Sequence, residues 1–429
     1  MKIALVYSEK LPFWISSQTI RSNLLDAYLL AFPNASVIPT DYEGAGKSQF
    51  VQKITQGKFD KIIFLESSPT PLQLLKELFN KKTPSAKTEF YFHIYGDFTL
   101  FTPEWFLIFK TLKKAYVKIL LASPAQMGLV SEFFHNKKKS NLLLCPFPIN
   151  SNNFYPSQIR EKLREQFGIK NDEIVLLYSG RISPQKGFPL ILKWLDRFIK
   201  ETGIRNIRLL IAGNFDDLGT PFWGKAHPMG LSYFSFQRTL QSLSELSVHQ
   251  VQYLGLQKTA ELRKICELSD IFVSLSTYHD EDYGMAPLEA IFCGCSALLS
   301  SWGGFNSFGD LPSDVKFCTV KIGPKGLVMS YSSFKKGLTT LITQAIKKPQ
   351  LRGERIIRYQ DSFSVKALSH LLLKIHKTPA KNLAKLSVLF EIHSKKILLM
   401  RQGYSPYQSP SSEDPLYHRL YRHYTQVQR

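Results

Sequence analysis

Two short runs in the second half of the chain combine charged side chains with glycines in patterns suited to anions and hydroxyl groups. The first, Ser179-Gly180-Arg181-Ile182-Ser183-Pro184-Gln185-Lys186-Gly187, lies between the apolar run Ile174–Tyr178 and the helical pattern that begins at Phe188. Two cations on a strand-to-helix turn can converge on a diphosphate, aided by free amides and the positive helix end. The alternative for this piece is a solvated turn with two surface cations. The second run is Glu281-Asp282-Tyr283-Gly284-Met285-Ala286-Pro287-Leu288-Glu289. Gly284 suits a turn and Pro287 the first helical turn, so one carboxylate falls in a loop and the other on a helix. Amides of Gly284, Met285 and Ala286 would face an anion or hydroxyls there, and the carboxylates accept hydrogen bonds from hydroxyls.

The elements that must hold these runs follow from the alternation of short β-branched or apolar runs with longer helical patterns, which signals βαβ units and parallel sheets. Strands are expected near Ile3–Tyr7, Lys61–Leu65, Phe90–Ile94, Val117–Leu121 and Leu142–Cys145, forming a first Rossmann-like domain over residues 1–155. The loop Pro146–Ser157, rich in Pro, Asn and Ser, marks the boundary. Strands near Ile174–Tyr178, Arg208–Ala212, Gln252–Leu254, Ile271–Ser274 and Ala297–Leu299 build a second domain over 156–376. Ligands of such sheets bind at the C-terminal edge of the strands. Residues 377–429 read as a basic helical appendage and tail, with Leu383, Leu386, Phe390, Ile397 and Met400 at helical spacings; its end forms a short helix or stays mobile.

At 429 residues the chain exceeds one ordinary hydrophobic core, which agrees with two domains. Its 55 Lys and Arg against 34 Asp and Glu leave a net +21, implying an anionic partner: a nucleic acid, an anionic membrane surface or a phosphorylated substrate. No helix-turn-helix, zinc-knuckle or ribonucleoprotein motif supports the nucleic-acid option. Five cysteines, an odd number, argue against a complete disulfide framework and for reduced thiols in the cytoplasm; Cys293 and Cys295 lack the second pair of a metal site. No run reaches the roughly 18 apolar residues of a membrane span. The opening KIALVY reads as a first strand and not as a secretory leader.

The pattern GRxxxxKG, followed about a hundred residues later by two glutamates with seven residues between them, resembles the donor site of the family-four retaining glycosyltransferases. The resemblance is strong over residues 156–376, including Leu268-Ser269-Asp270 and the closing FSVKALSHLLLKIH, and looser before them. It implies the α/β fold called GT-B, two Rossmann-like domains facing across a cleft, here with a C-terminal helical appendage. It also implies that Arg181 and Lys186, after Gly180, hold the donor diphosphate, that Glu281 contacts the transferred sugar and Glu289 the ribose, and that Tyr283, Gly284, Met285 and Ala286 complete the donor site. A histidine beyond a central strand of the first domain corresponds to His93, followed by Gly96 and Asp97, and joins Glu281, Arg181 and Lys186 as the catalytic set. The alternative is a core-edge histidine satisfied by a carbonyl.

Two departures bear on this. Where relatives carry glycines after the first strand, this chain has Pro12, Phe13 and Trp14, which suit an acceptor or a membrane as well as a phosphate. The stretch Ser301–Asn306 keeps Gly303 and Gly304 without the acidic residue often found shortly after. Asp280-Glu281-Asp282 spells a metal-binding DxD, but two cations already offer the neutralisation a metal would provide, so no metal and no cofactor is expected beyond the nucleotide sugar itself.

The expected reaction moves a hexose from a UDP or GDP sugar to a lipid-linked or lipopolysaccharide-type glycan. The leaving diphosphate would help deprotonate the acceptor on the same face. The basic surface points to an anionic membrane, reached from the cytoplasm: Lys110, Lys114 and Lys118 lie on one face of a helical pattern, and Lys137–Lys139 follow Phe133 and Phe134. The alternatives are a soluble sugar-condensing or phosphorylase-type enzyme and a non-catalytic scaffold derived from one.

Overall fold

The computed structural model describes the chain except residues 11–14, 43, 45, 67–69, 82–86, 136–140, 158, 218–229, 311–312, 384 and 427–429. Pro12, Phe13, Trp14 and Lys137–Lys139 thus lie outside the described residues. The chain divides into two units, residues 1–148 with 363–406, and residues 149–362 with 407–429.

In the first unit, β1 (Ile3–Ser8), β2 (Ser36–Thr40), β3 (Lys61–Phe64), β4 (Glu89–Ile94), β5 (Tyr116–Leu121) and β6 (Leu142–Leu144) form a parallel sheet in the order β6-β5-β4-β3-β1-β2. Strands covered by helices on both faces are buried at nearly every position and do not alternate, as KIIF and EFYFHI are, even though they carry Lys61, Glu89 and His93. Of these six strands only β2 escapes the sequence reading, because Pro39 and its polar flanks mask a short edge strand.

The second unit contains β7 (Ile174–Ser179), β8 (Ile207–Ala212), β9 (Val251–Gly255), β10 (Ile271–Ser274), β11 (Ser296–Ser300) and β12 (Val315–Cys318), all parallel in the order β12-β11-β10-β7-β8-β9. A hairpin, β13 (Val320–Gly323) and β14 (Gly326–Met329), follows. The helix Phe188–Thr202 illustrates the packing: Phe188, Ile191, Leu192, Leu195, Phe198 and Ile199 form one buried stripe, and Gly203 ends the helix in the left-handed region. Each such side chain contributes about 1.5–3 kcal/mol by leaving water. No helix among the described residues is long and apolar enough to cross a membrane.

The expected domain limits need correcting. The first boundary falls at Pro148, before the loop's middle. The helix Val365–Lys377, expected to close the second domain, belongs to the first unit. Residues 377–429 are no separate appendage. The short strand β15 (Lys381–Asn382) pairs antiparallel with β5, and the helix Val388–Met400 buries Leu389, Phe390, His393 and Ile397 in the first unit. From Tyr407 the chain contributes to the second unit instead. Lys118 is not on a surface face either: it is 1% exposed, and its ammonium donates to the Ile375 carbonyl at 2.6 Å and to that of Thr378.

Candidate active site

Strand β7 delivers the first motif to the C-terminal edge of its sheet. Ile182 donates to the Asn214 carbonyl at 2.8 Å, stitching the turn to the segment after β8, and the Tyr178 hydroxyl donates to the Arg181 carbonyl at 2.5 Å. Gly187 then turns the chain into the helix Phe188–Thr202 at φ +66, and a Cβ there would lie 2.4 Å from the Leu275 carbonyl oxygen. Only glycine fits that approach, which brings the turn against the residues that follow β10. Thr277 closes the contact by donating to the Gln185 carbonyl at 3.0 Å.

The second motif lies on that loop. Lys186 Nζ donates to Glu281 Oε2 at 2.8 Å, and Ser276 Oγ donates to the same oxygen at 2.5 Å. The Tyr278 ring faces both cations, 4.7 Å from Lys186 Nζ and 5.2 Å from the Arg181 guanidinium. Arg181 pairs with Asp216, a residue the motif reading missed. Asp216 stands two residues beyond the Gly213-Asn214 turn that ends β8, and the only signal for it was its place at a strand end of the same sheet.

Gly284 ends the loop at φ +118, where a Cβ would meet the Phe305 ring at 2.8 Å, and the helix Met285–Phe292 starts directly after it. The first amides of a helix have no intrahelical acceptor, so those of Met285 and Ala286 form a donor set at the end of this loop. Glu289 follows one turn inside the helix. It keeps part of its surface exposed, yet the protein around its carboxyl pushes it up to about 8 by desolvation.

The structure thus brings together Gly180, Arg181, Lys186 and Glu281, with Gly284, Met285, Ala286 and Glu289 continuing along the same segment. Two expected residues sit elsewhere. Tyr283 is 2% exposed, its ring packed 5.7 Å from Phe308, so its side chain belongs to the core. His93 lies within β4, 1% exposed, and its Nε2 meets the Tyr28 hydroxyl at 2.9 Å. Burial pushes this imidazole down to about 3, so it is a neutral core histidine and does not line an edge. Its neighbour Asp97 instead holds the unusual conformation at that strand end, φ 65 in the left-handed region, with its carbonyl accepting from Leu100 at 2.9 Å. Within the DxD run, Asp280 and Asp282 are both buried, and Asp280 lies 3.6 Å from His279.

Residues 159–308, which hold the whole arrangement, match the model of the family described as glycosyl transferases group 1. The two parallel sheets with their helices have the GT-B fold: the chain superposes on an Anabaena protein, Alr3699/HepE, solved in complex with UDP, with a TM-score of 0.64 at 14% identity over 88% of this chain and 100% of that one. Among curated proteins it is similar to the lipopolysaccharide 1,2-N-acetylglucosaminetransferase of Salmonella typhimurium, 24% identical over 58% of this chain and 57% of that protein. It is also similar to the D-inositol 3-phosphate glycosyltransferase of Kineococcus radiotolerans, 23% identical over 57% of this chain and 53% of that one. The chain spans little more than half the length of both relatives.

Proposed function

We propose that this chain is a retaining glycosyltransferase that moves a hexose from a UDP or GDP sugar to a lipid-linked or lipopolysaccharide-type glycan. One observation carries the reading: Lys186 and Ser276 meet on Glu281 beneath a ring shared with Arg181, at a sheet edge that runs into a helix N-terminus. The cations here are neutralised by carboxylates, and a diphosphate offers a stronger, bidentate partner. Once it takes Lys186 and Arg181, Glu281 is free to accept hydrogen bonds from sugar hydroxyls. In the reaction the bond from the anomeric carbon to the diphosphate oxygen breaks. The acceptor oxygen bonds on the same face, and its proton passes to the departing diphosphate. Arg181, Lys186 and the amides of Met285 and Ala286 stabilise the charge that develops there, each such contact being worth about 2.7–4 kcal/mol. The reading requires no metal, so activity persists in a chelator.

The donor class is supported by the solved neighbour that holds UDP, and the acceptor class by the Salmonella relative. An anionic membrane at the cytoplasmic face fits the +21 charge and one surface of the first unit. There two packed helices, Thr102–Thr111 and Val388–Met400, carry the exposed residues Leu107, Val388, Ile392 and Leu399 together with exposed Lys110 and Lys395.

The test is release and transfer of sugar across a panel of UDP, GDP and ADP sugars, comparing wild type with Lys186→Ala and Glu281→Ala. Turnover of one donor that needs both residues supports the reading. Transfer to free sugars alone would favour the sugar-condensing alternative, and silence with no nucleotide bound would leave the scaffold.

A further inference from the structure

We propose that the C-terminal segment from Tyr407 is a built-in brace for the Glu281 loop, and that Tyr424 is its positioning residue. The segment is anchored in the second unit. Asp414 accepts from Tyr417 at 2.8 Å and Gln408 at 2.6 Å, and Ser412 donates to the Gly323 carbonyl at 3.0 Å. Tyr407, Tyr417, Tyr421 and Tyr424 pack ring against ring, with centroids 4.5–6.2 Å apart, and all are buried.

Tyr424 reaches the loop by two routes. Its ring stands edge-on to Trp302 at 5.5 Å, and the Trp302 indole donates to the Tyr278 carbonyl at 2.7 Å. Tyr278 is the ring that faces Arg181 and Lys186. The Tyr424 ring also lies 3.0 Å from where a Gly303 Cβ would stand, and the next residue, Gly304, donates to the Glu281 carbonyl at 2.6 Å. Asn306 fixes the tail end itself by donating to the Tyr424 carbonyl at 2.8 Å. The Tyr424 hydroxyl is buried and, among the described residues, has no hydrogen-bond partner, so the ring and not the hydroxyl makes these contacts. Aromatic packing costs little rotamer entropy and is specific in geometry, which suits a part that must hold a loop still.

That the braced loop is a donor loop rests on the proposed transferase reading; the bracing itself does not. The experiment therefore has two arms on the full chain. Hydrogen exchange of Tyr424→Ala is expected to speed exchange about tenfold across residues 277–285 while β7 and β8 keep their protection. Tyr424→Phe should leave both as in wild type, and Asn306→Ala should give a smaller change in the same direction. Unchanged exchange in the loop, or a rise shared equally by β7 and β8, would overturn the brace. So would Tyr424→Phe behaving like the alanine variant. In the second arm, Tyr424→Ala should raise the donor KM more than it lowers kcat. A wild type that turns over no nucleotide sugar would defeat the transferase reading and leave the exchange arm to decide the brace.

Discussion

Each unit holds a pair of cations close together, buried in the first unit and part-exposed in the second, and the two pairs differ in their partners. In the first unit Lys61 donates to the His376 carbonyl at 2.8 Å and to the Tyr91 hydroxyl at 3.1 Å and pairs with Glu89 at 3.2 Å, while Lys118 donates to the carbonyls of Ile375 and Thr378; the three carbonyls lie at the C-terminal end of the helix Val365–Lys377. The carbonyls among those acceptors are backbone groups left over by the helix, fixed in place and favoured by its dipole. In the second unit Arg181 and Lys186 meet Asp216 and Glu281, side chains that can turn away. A buried cation held by helix carbonyls, as Lys118 is, holds a fold together, whereas part-exposed cations held by side-chain carboxylates can exchange them for a ligand. Charge count alone puts both pairs in one class; the partners separate them.

The largest effect that would sharpen this contrast is acid lability of the first unit. Burial pushes His93 and His393 down to about 3 and His376 to about 2, with the charges of Lys61 and Lys118 adding to the last. A base depressed in the fold supports stability fully above its unfolded value near 6.5. That support drains as pH falls below it, at about 1.4 kcal/mol per pH unit per histidine. Glu66, pushed up to about 7 by burial, gains stability in the same direction and offsets part of the loss between its unfolded value, about 4.5, and 6.5. Hydrogen exchange between pH 7 and 4 should show the first unit losing protection before the second.

Next come the cations themselves. Lys186→Ala should cut donor turnover about 100- to 1000-fold while shifting stability by less than about 1 kcal/mol. Lys118→Ala should do the reverse, costing about 2–4 kcal/mol by chemical denaturation as two buried carbonyls lose their donor. Lys118 is itself depressed to about 8, by burial first and then by Lys61.

A smaller effect belongs to Glu289. Its carboxyl stays neutral in the fold up to about 8 but ionises near 4.5 when unfolded, so its contribution is intact below 4.5 and is lost as pH rises towards 8. Glu289→Gln, which cannot ionise, should match wild type in stability near pH 4 and exceed it progressively as the pH rises from 4.5 towards 8. Smallest of all, His93→Asn should change turnover less than about threefold, since its ring stays in the core; a loss like that of Lys186→Ala would return it to the site.

Most of this site was legible because it is local. The GRxxxxKG turn and the paired glutamates are each contained in nine residues, and the apolar runs that carry them are the strands β7 and β10. What the sequence hid depends on long-range packing. Asp216 is 35 residues from Arg181, and no spacing rule links them. The strand EFYFHI is buried at nearly every position, so alternation could not tell which way His93 points. The helix Val388–Met400 and the tyrosine-rich tail follow one another in a run that reads, from sequence, as one basic appendage. Contacts such as those of Phe390 with Phe133 and of Tyr424 with Trp302 assign them to different units.

The most direct test is calorimetric titration of UDP and of GDP into wild type, Lys186→Ala and Lys118→Ala. The expected result is that one nucleotide binds wild type and Lys118→Ala within about threefold of each other and binds Lys186→Ala at least about 100-fold more weakly, a difference near 2.7 kcal/mol. Equal binding to wild type and Lys186→Ala, or an equal loss in both variants, would contradict the assignment of the exchangeable pair to the donor.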